Sequence, residues 1–165
     1  QDHSQRYIPF GLISPVSGRS MIQILNTTHH STSSRWDELI QQAIEARAYA
    51  YAPYSHYKVG AALLTTDGKI YKGCNIENAS YGPSNCAERT AIFKAVSEGE
   101  RQFEVMAVVT TDGGSPCGVC RQVMREFAPN LTVLIGDLAG NYRVFSLPEL
   151  LPHSFGPGNL GVSGE

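Results

Sequence analysis

Three cysteines constrain this chain more than any other feature. Cys86 lies in Asn85-Cys86-Ala87-Glu88-Arg89, while Cys117 and Cys120 lie in Pro116-Cys117-Gly118-Val119-Cys120-Arg121. A structural zinc site closes its tetrahedron with four protein ligands, whereas a catalytic one keeps three and leaves the fourth position to water. Three cysteines and a spare carboxylate, Glu88, read as the second kind. The fourth cysteine, Cys74, makes two disulfides arithmetically possible. A single Cys-x-x-Cys with a distant third Cys suits a metal better, and nothing in the chain marks an oxidising compartment. A thioredoxin-like redox pair would leave Cys86 and Glu88 without a role.

Any fold that uses these cysteines must bring two separate segments to one point, and the elements around them suggest how. Residues 1 to 33 have linker composition, with Pro9, Pro15, Gly11 and Gly18 in no period and a run rich in Ser, Thr, His and Asn after Asn26. They read as a flexible extension, and His29 and His30 as solvated tail histidines. The domain proper spans residues 34 to 156, and 157 to 165 form a Gly-rich tail. Ser34 predicts an N-cap, and Trp36, Ile40, Ala43, Ile44 and Arg47 then follow helical spacing up to a stop at Pro53. Lys58 to Thr65 reads as a strand, and Asp67-Gly68 as the turn of a hairpin whose return strand is Ile70 to Asn75. Ile76 to Asn85 is a loop. A helix opens at Cys86 and closes at Gly99, Phe103 to Thr111 is a buried strand, and a second helix runs from Gly118 to Ala128. Leu131 to Gly136 and Tyr142 to Ser146 are further strands, and Leu147 to Leu151 is a short helix. This alternation predicts a layered α/β domain with helices covering a mixed sheet.

Both cysteine segments therefore sit at helix N-termini, where the dipole and unpaired N–H groups favour the thiolate form. Three thiolates around Zn²⁺ carry a formal charge of −1, which helix ends and a cation such as Arg89 would offset. Glu88 is harder to place. Two positions on a regular helix turn side chains about 200° apart, so Glu88 reaches the metal of Cys86 only if Cys86 belongs to a frayed first turn.

Composition excludes several classes. The 165 residues are 42% hydrophobic and 17% charged, which suits one globular domain. No apolar run is long enough to cross a bilayer and no secretory leader is evident, so the expectation is a cytoplasmic protein with no membrane partner. The net charge of −2 and pI near 6.2 argue against a nucleic-acid partner, which calls for a basic face.

The chain resembles the small homotetrameric cytidine deaminases in Tyr51-Ala52-Pro53-Tyr54-Ser55, Lys58-Val59-Gly60-Ala61-Ala62-Leu63, Cys74-Asn75-Ile76-Glu77-Asn78-Ala79, Asn85-Cys86-Ala87-Glu88-Arg89-Thr90-Ala91 and Ser115-Pro116-Cys117-Gly118-Val119-Cys120-Arg121-Gln122. The likeness runs from about Ser34 to Phe155 and implies a three-layer α/β/α fold with a central mixed five-stranded sheet. It also implies a zinc-dependent enzyme that converts cytidine and deoxycytidine to uridine and deoxyuridine in pyrimidine salvage. On this resemblance Cys86, Cys117 and Cys120 would hold zinc and Glu88 would move the protons. The Cys117 N–H and the Ala87 carbonyl would hold the pyrimidine edge, and Asn75 and Glu77 the ribose 3′-hydroxyl. Tyr57 stands where the family usually has Phe beside the substrate, which leaves a hydroxyl in need of a partner. Phe155 aligns with an aromatic lent to a neighbouring subunit's site, and Ala79 and Tyr81 with residues near subunit boundaries. Cys74 matches a non-ligand cysteine. A polynucleotide or antibiotic-nucleoside deaminase would share the chemistry but need a different cleft. A non-enzymatic zinc module would need a fourth protein ligand, for which one of the five His would have to serve.

Overall fold

The computed structural model describes residues 26–162, with side chains described from residue 34. The expectation that His29 and His30 are solvated falls on side chains outside that description, as do all side chains of the 1–33 extension. Five strands form one mixed sheet in the order β2-β1-β3-β4-β5, and helices cover both faces, as the three-layer expectation requires.

The first helix, α1 (Asn26–Arg47), differs from expectation at both ends. Its backbone is already helical at Asn26, so Ser34 lies inside the helix and is not its cap; a capping residue permits a helix start but does not impose one. At the other end the chain leaves the helix at Arg47, well before Pro53. Tyr51 is drawn away into bridge pairing, its N–H donating to Asn75 O at 3.0 Å while its carbonyl accepts from Glu77 N at 2.8 Å. Leu39, Ile40 and Ala43 form the buried stripe of α1.

β1 (Gly60–Thr65) and β2 (Ile70–Cys74) form the expected hairpin, with Leu64 opposite Ile70 and Gly68 at φ +92° in the turn. Every residue of β1 is buried, because the strand is covered on both faces. Its alternation assigns the layers: Ala62 and Leu64 pack with α1, while Ala61 and Leu63 pack on the opposite side with α2 (Ala87–Ser97). β3 (Phe103–Val109) pairs antiparallel with β1 and parallel with β4 (Thr132–Gly136), and α3 (Gly118–Phe127) connects them. β5 (Tyr142–Ser146) closes the sheet antiparallel to β4. The short α4 (Leu147–Leu150) starts at Ser146, whose N–H and hydroxyl both donate to the Glu149 carboxylate at 2.7 Å. A 3-10 turn at Pro157–Leu160 follows in the segment read as tail.

Two glycines set how closely the helices approach the sheet. A Cβ on Gly60 would overlap the carbonyl of Ala43 and come within 2.6 Å of the Arg47 nitrogen, both backbone atoms of α1. A Cβ on Gly73 would likewise overlap the Ala87 carbonyl and lie 2.5 Å from the Ala91 nitrogen of α2. Backbone cannot move aside as a side chain can, so Gly60→Ala and Gly73→Ala are each expected to cost about 3 kcal/mol, the upper end of the overpacking range. Urea unfolding checks this, and a change in midpoint below one-third of that expected would refute the close-packing account.

Candidate active site and metal centre

The last residue of β2 leads into a loop that closes on itself. Ile76 and Asn85 exchange both backbone hydrogen bonds at 2.9 Å, so the irregular segment between them returns Cys86 to the end of β2. Cys86 then caps α2 in extended conformation, φ −78° and ψ 157°, and its carbonyl accepts from the backbone and hydroxyl of Thr90 at 3.0 and 3.1 Å. On the far side of β3, the buried Pro116 keeps the chain extended and Cys117 caps α3 at φ −68° and ψ 164°. Neither cap makes a side-chain hydrogen bond to its helix. The first-turn N–H groups of both helices are thus left available to polarise the sulfurs.

The three thiols meet. Cys86 and Cys117 sulfurs lie 3.9 Å apart, Cys117 and Cys120 sulfurs 3.5 Å, and all three fall within 4.8 Å of one another. Three sulfurs at the corners of a tetrahedron with Zn–S near 2.3 Å stand about 3.8 Å apart, so this donor set fits zinc in both chemistry and spacing. Among the described residues it is the one such cluster of three or more potential ligands.

Glu88 stands beside the sulfurs because Cys86 is a cap. Its extended backbone lifts the regular-helix restriction between the two residues, which resolves the 200° difficulty. Glu88 is 4% exposed. Burial pushes its carboxyl up to about 7, with the neighbouring Cys86 thiolate contributing in the same direction. Arg89 turns back to Cys86, an Nη donating to its sulfur at 3.4 Å and to Ser84 O at 3.4 Å. The hydrogen bond from Cys120, and then the Arg89 guanidinium, lower the Cys86 thiol to about 5, while Cys120 is raised.

A cavity of about 280 Å³ opens over this cluster. Cys86, Glu88 and Cys117 form its floor, and Tyr57, Val59, Asn75, Val108 and the loop after β3 form its walls. A second cavity of about 270 Å³ shares Ser55 with the first and carries Glu77 and Tyr81. Glu77 is firmly held: it accepts from Tyr54 N at 2.9 Å, from Ser55 N at 3.2 Å and from the Ser55 hydroxyl. Those bonds keep its carboxyl below the usual range, the Ser55 hydroxyl most of all. Asn75 accepts from Val59 N and donates to Tyr57 O, each at 2.8 Å. Ala87 is buried, with its carbonyl against Gly73.

Other expected site residues stand apart within this chain. Phe155 is 57% exposed and lies outside both cavities, its carbonyl accepting from Gln122. Ala79 is exposed, and Tyr81, at φ 57°, is 74% exposed. Conversely, Ser55, Thr110, Gly114 and Ser115 line the main cavity although sequence patterns did not single them out. Arg121 is a further positioning group, bonding Pro116 O at 2.8 Å, Ser115 Oγ at 2.8 Å and Leu150 O at 2.5 Å, and so fixing the turn that carries Cys117. Its fork of donors following a Cys-x-x-Cys was the available signal.

The model for the cytidine and deoxycytidylate deaminase zinc-binding region matches residues 33–135. This chain belongs to that family. It is 55% identical over 120 residues to the cytidine deaminase of Halalkalibacterium halodurans, covering 71% of this chain and 91% of that one. It is 48% identical over 132 residues to the cytidine deaminase of Sporosarcina psychrophila, covering 78% and 97%. The crystal structure of cytidine deaminase from Burkholderia pseudomallei superposes with a TM-score of 0.69 at 51% identity, over 78% of this chain and all of that one. Members of this deaminase family are hydrolytic enzymes, and the α/β architecture with its five-stranded mixed sheet is theirs. Among the described residues, no helix of this deaminase is long and apolar enough to cross a membrane.

The thiol assignments give a direct chemical test on metal-free protein. A lowered thiol is ionised above its pKa, so iodoacetamide at pH 6 to 7 is expected to label Cys86 ahead of Cys120 and of Cys74, which burial raises. Arg89→Ala is expected to move the onset of Cys86 labelling to higher pH. Mass spectrometry of the labelled peptides checks both, and equal labelling of Cys86 and Cys74 at pH 6 would contradict the arrangement.

Proposed function

We propose that this deaminase hydrolyses cytidine and deoxycytidine to uridine and deoxyuridine with release of ammonia, as a step of pyrimidine salvage in the cytoplasm. The observation that carries the reading is the buried Glu88 carboxyl in the floor of the same cavity as Cys86 and Cys117. Cys86, Cys117 and Cys120 would hold zinc, which when bound supplies a Lewis acid that makes water a nucleophile near neutral pH. Glu88 accepts a proton from the attacking water and delivers it to ring nitrogen 3; it then takes the second proton from the hydroxyl of the C4 adduct and passes it to the amine, which leaves as ammonia when the C4 carbonyl forms. A carboxyl raised toward neutrality is suited to both directions of transfer.

The two neighbouring cavities, which share Ser55, support a nucleoside as substrate. The base occupies the space above the sulfurs between Tyr57 and Val108, with the Cys117 N–H and the Ala87 carbonyl as the proposed base-edge contacts, and the sugar points toward Glu77. Glu77 has acceptor capacity beyond its three bonds, and Asn75 retains one amide hydrogen, so both have a group left for a ribose hydroxyl. A site built around that hydroxyl discriminates against a free base. The exposed Phe155, Tyr81 and Ala79 support assembly as a homotetramer in which neighbouring copies complete each site.

An ultraviolet assay on cytidine, deoxycytidine, cytosine, deoxycytidylate and a cytidine-containing oligonucleotide, before and after chelation, tests the reading. Turnover of the two nucleosides, lost with the metal and restored by zinc, is the expected result. Glu88→Gln is expected to lower kcat about 10²- to 10⁴-fold with zinc content unchanged. Deamination confined to the oligonucleotide, or full activity in Glu88→Gln, would overturn it.

A further inference from the structure

Tyr57 precedes β1 and Asp112 follows β3, beyond the paired strand ends Gly60 and Val109, and the two side chains are joined. The Tyr57 hydroxyl donates to Asp112 Oδ1 at 2.6 Å, and the same oxygen accepts from the Thr110 hydroxyl at 2.9 Å. Thr110 Oγ1 in turn accepts from Gly114 N at 2.6 Å, so the phenol ends a chain of bonds running through the loop that leads to Cys117. Arg47 makes a parallel tie between the same two segments, donating to Lys58 O at 2.8 Å and to Thr111 Oγ1 at 2.9 Å. Gly114 completes the arrangement, since a Cβ there would come within 2.5 Å of the Tyr57 hydroxyl. The Tyr57 ring lines the cavity yet is 41% exposed. Packing on one side alone leaves an aromatic ring free to change rotamer, and a hydrogen bond to a carboxylate is strong enough to select one.

We propose that Tyr57, Asp112 and Gly114 form a latch that fixes the Tyr57 ring as a wall of the cavity, with Asp112 as a positioning residue that sets how tightly the nucleoside binds. This rests on the deaminase reading above. The hydroxyl is committed to Asp112, so the ring offers the substrate an apolar face and no donor. A wall fixed before binding spares the complex the entropy of ordering it, and that saving is the same in ground and transition states. Loss of the latch therefore appears in KM and leaves kcat in place.

The test is steady-state kinetics with cytidine on the full, zinc-loaded chain. Tyr57→Phe, Asp112→Asn and Gly114→Ala are each expected to raise KM about three- to tenfold, the span of one hydrogen bond's net worth, with kcat within about twofold. Tyr57→Phe combined with Asp112→Asn is expected to be no worse than Tyr57→Phe alone. Tyr57→Phe is also expected to absorb the effect of Gly114→Ala, because the missing hydroxyl leaves room for the new methyl group. A merely structural role for the loop would not give that relief. Multiplicative double variants, an unchanged KM in Asp112→Asn, or loss of zinc from Tyr57→Phe would overturn the latch. A second readout needs no turnover: the difference in alkaline ultraviolet absorbance between each parent and its Tyr57→Phe partner isolates this phenol. It is expected to ionise above the ordinary 10 in the native chain, held up by burial and by Asp112, and at lower pH in Asp112→Asn. An unchanged phenol titration in Asp112→Asn refutes the latch even if cytidine proves not to be the substrate.

Discussion

Two helix N-termini aimed at one cluster of sulfurs are the constraint on which this structure depends. α2 carries the chain from β2 to β3 and α3 carries it from β3 to β4, and both pack in the core on the same face of the sheet. Their starts can meet only if α2 lies very close to the sheet. Ala87, Ala91 and Ala95, all fully buried, and Gly73 beneath them permit that approach. The small residues of α2 are therefore part of the metal centre's geometry although none of them is a ligand. The same logic explains why the loops that precede the helices are tied down, one closed by the Ile76–Asn85 bridge and the other braced by Arg121.

Charge is the second consequence of that convergence. Three thiols and a carboxyl share one site, with Cys120 and Glu88 buried, Cys86 half-buried and Cys117 exposed, and burial together with the neighbouring anion keeps the Glu88 carboxyl protonated to higher pH. The hydrogen bond from Cys120, and then the Arg89 guanidinium on its sulfur, hold Cys86 low, while Cys120 and Glu88 are pushed the other way. Arg89 Nε is buried without a hydrogen-bond partner among the described groups, a cost that its charge beside the sulfurs offsets. A divalent cation among the sulfurs would reverse the preference and favour all three thiolates. Metal binding and deprotonation are then one coupled event at this site.

The sheet, the hairpin, the openings of α2 and α3 and the three ligand candidates were legible because each has a local or periodic signature: apolar alternation, Asp-Gly, and Cys beside helical spacing. What was not legible depended on distant or local backbone partners. Tyr57 and Asp112 are 55 positions apart, and no pattern links them. The end of α1 was misplaced because Tyr51 leaves to bridge Ile76, a tertiary demand that outranks the proline stop. The position of Glu88 required the backbone angles of Cys86, which residue types do not specify. Phe155, Ala79 and Tyr81 project from a single chain, where no property of the chain alone assigns what covers them.

Asn75 shows why polar residues of such a site resist assignment to one role. Its amide oxygen holds the Val59 nitrogen and its amide nitrogen holds the Tyr57 carbonyl, so it anchors both ends of the segment that carries the Tyr57 ring. Asp112 holds the same ring by its hydroxyl from the loop after β3. Removing the Asn75 side chain would take away the proposed sugar contact and also release the backbone that carries the Tyr57 ring. Loss of affinity on its substitution therefore does not identify a substrate ligand. The distinction lies in whether the Tyr57 phenol still titrates as it does in the native chain, because a contact to sugar leaves the latch closed and a tie to backbone does not.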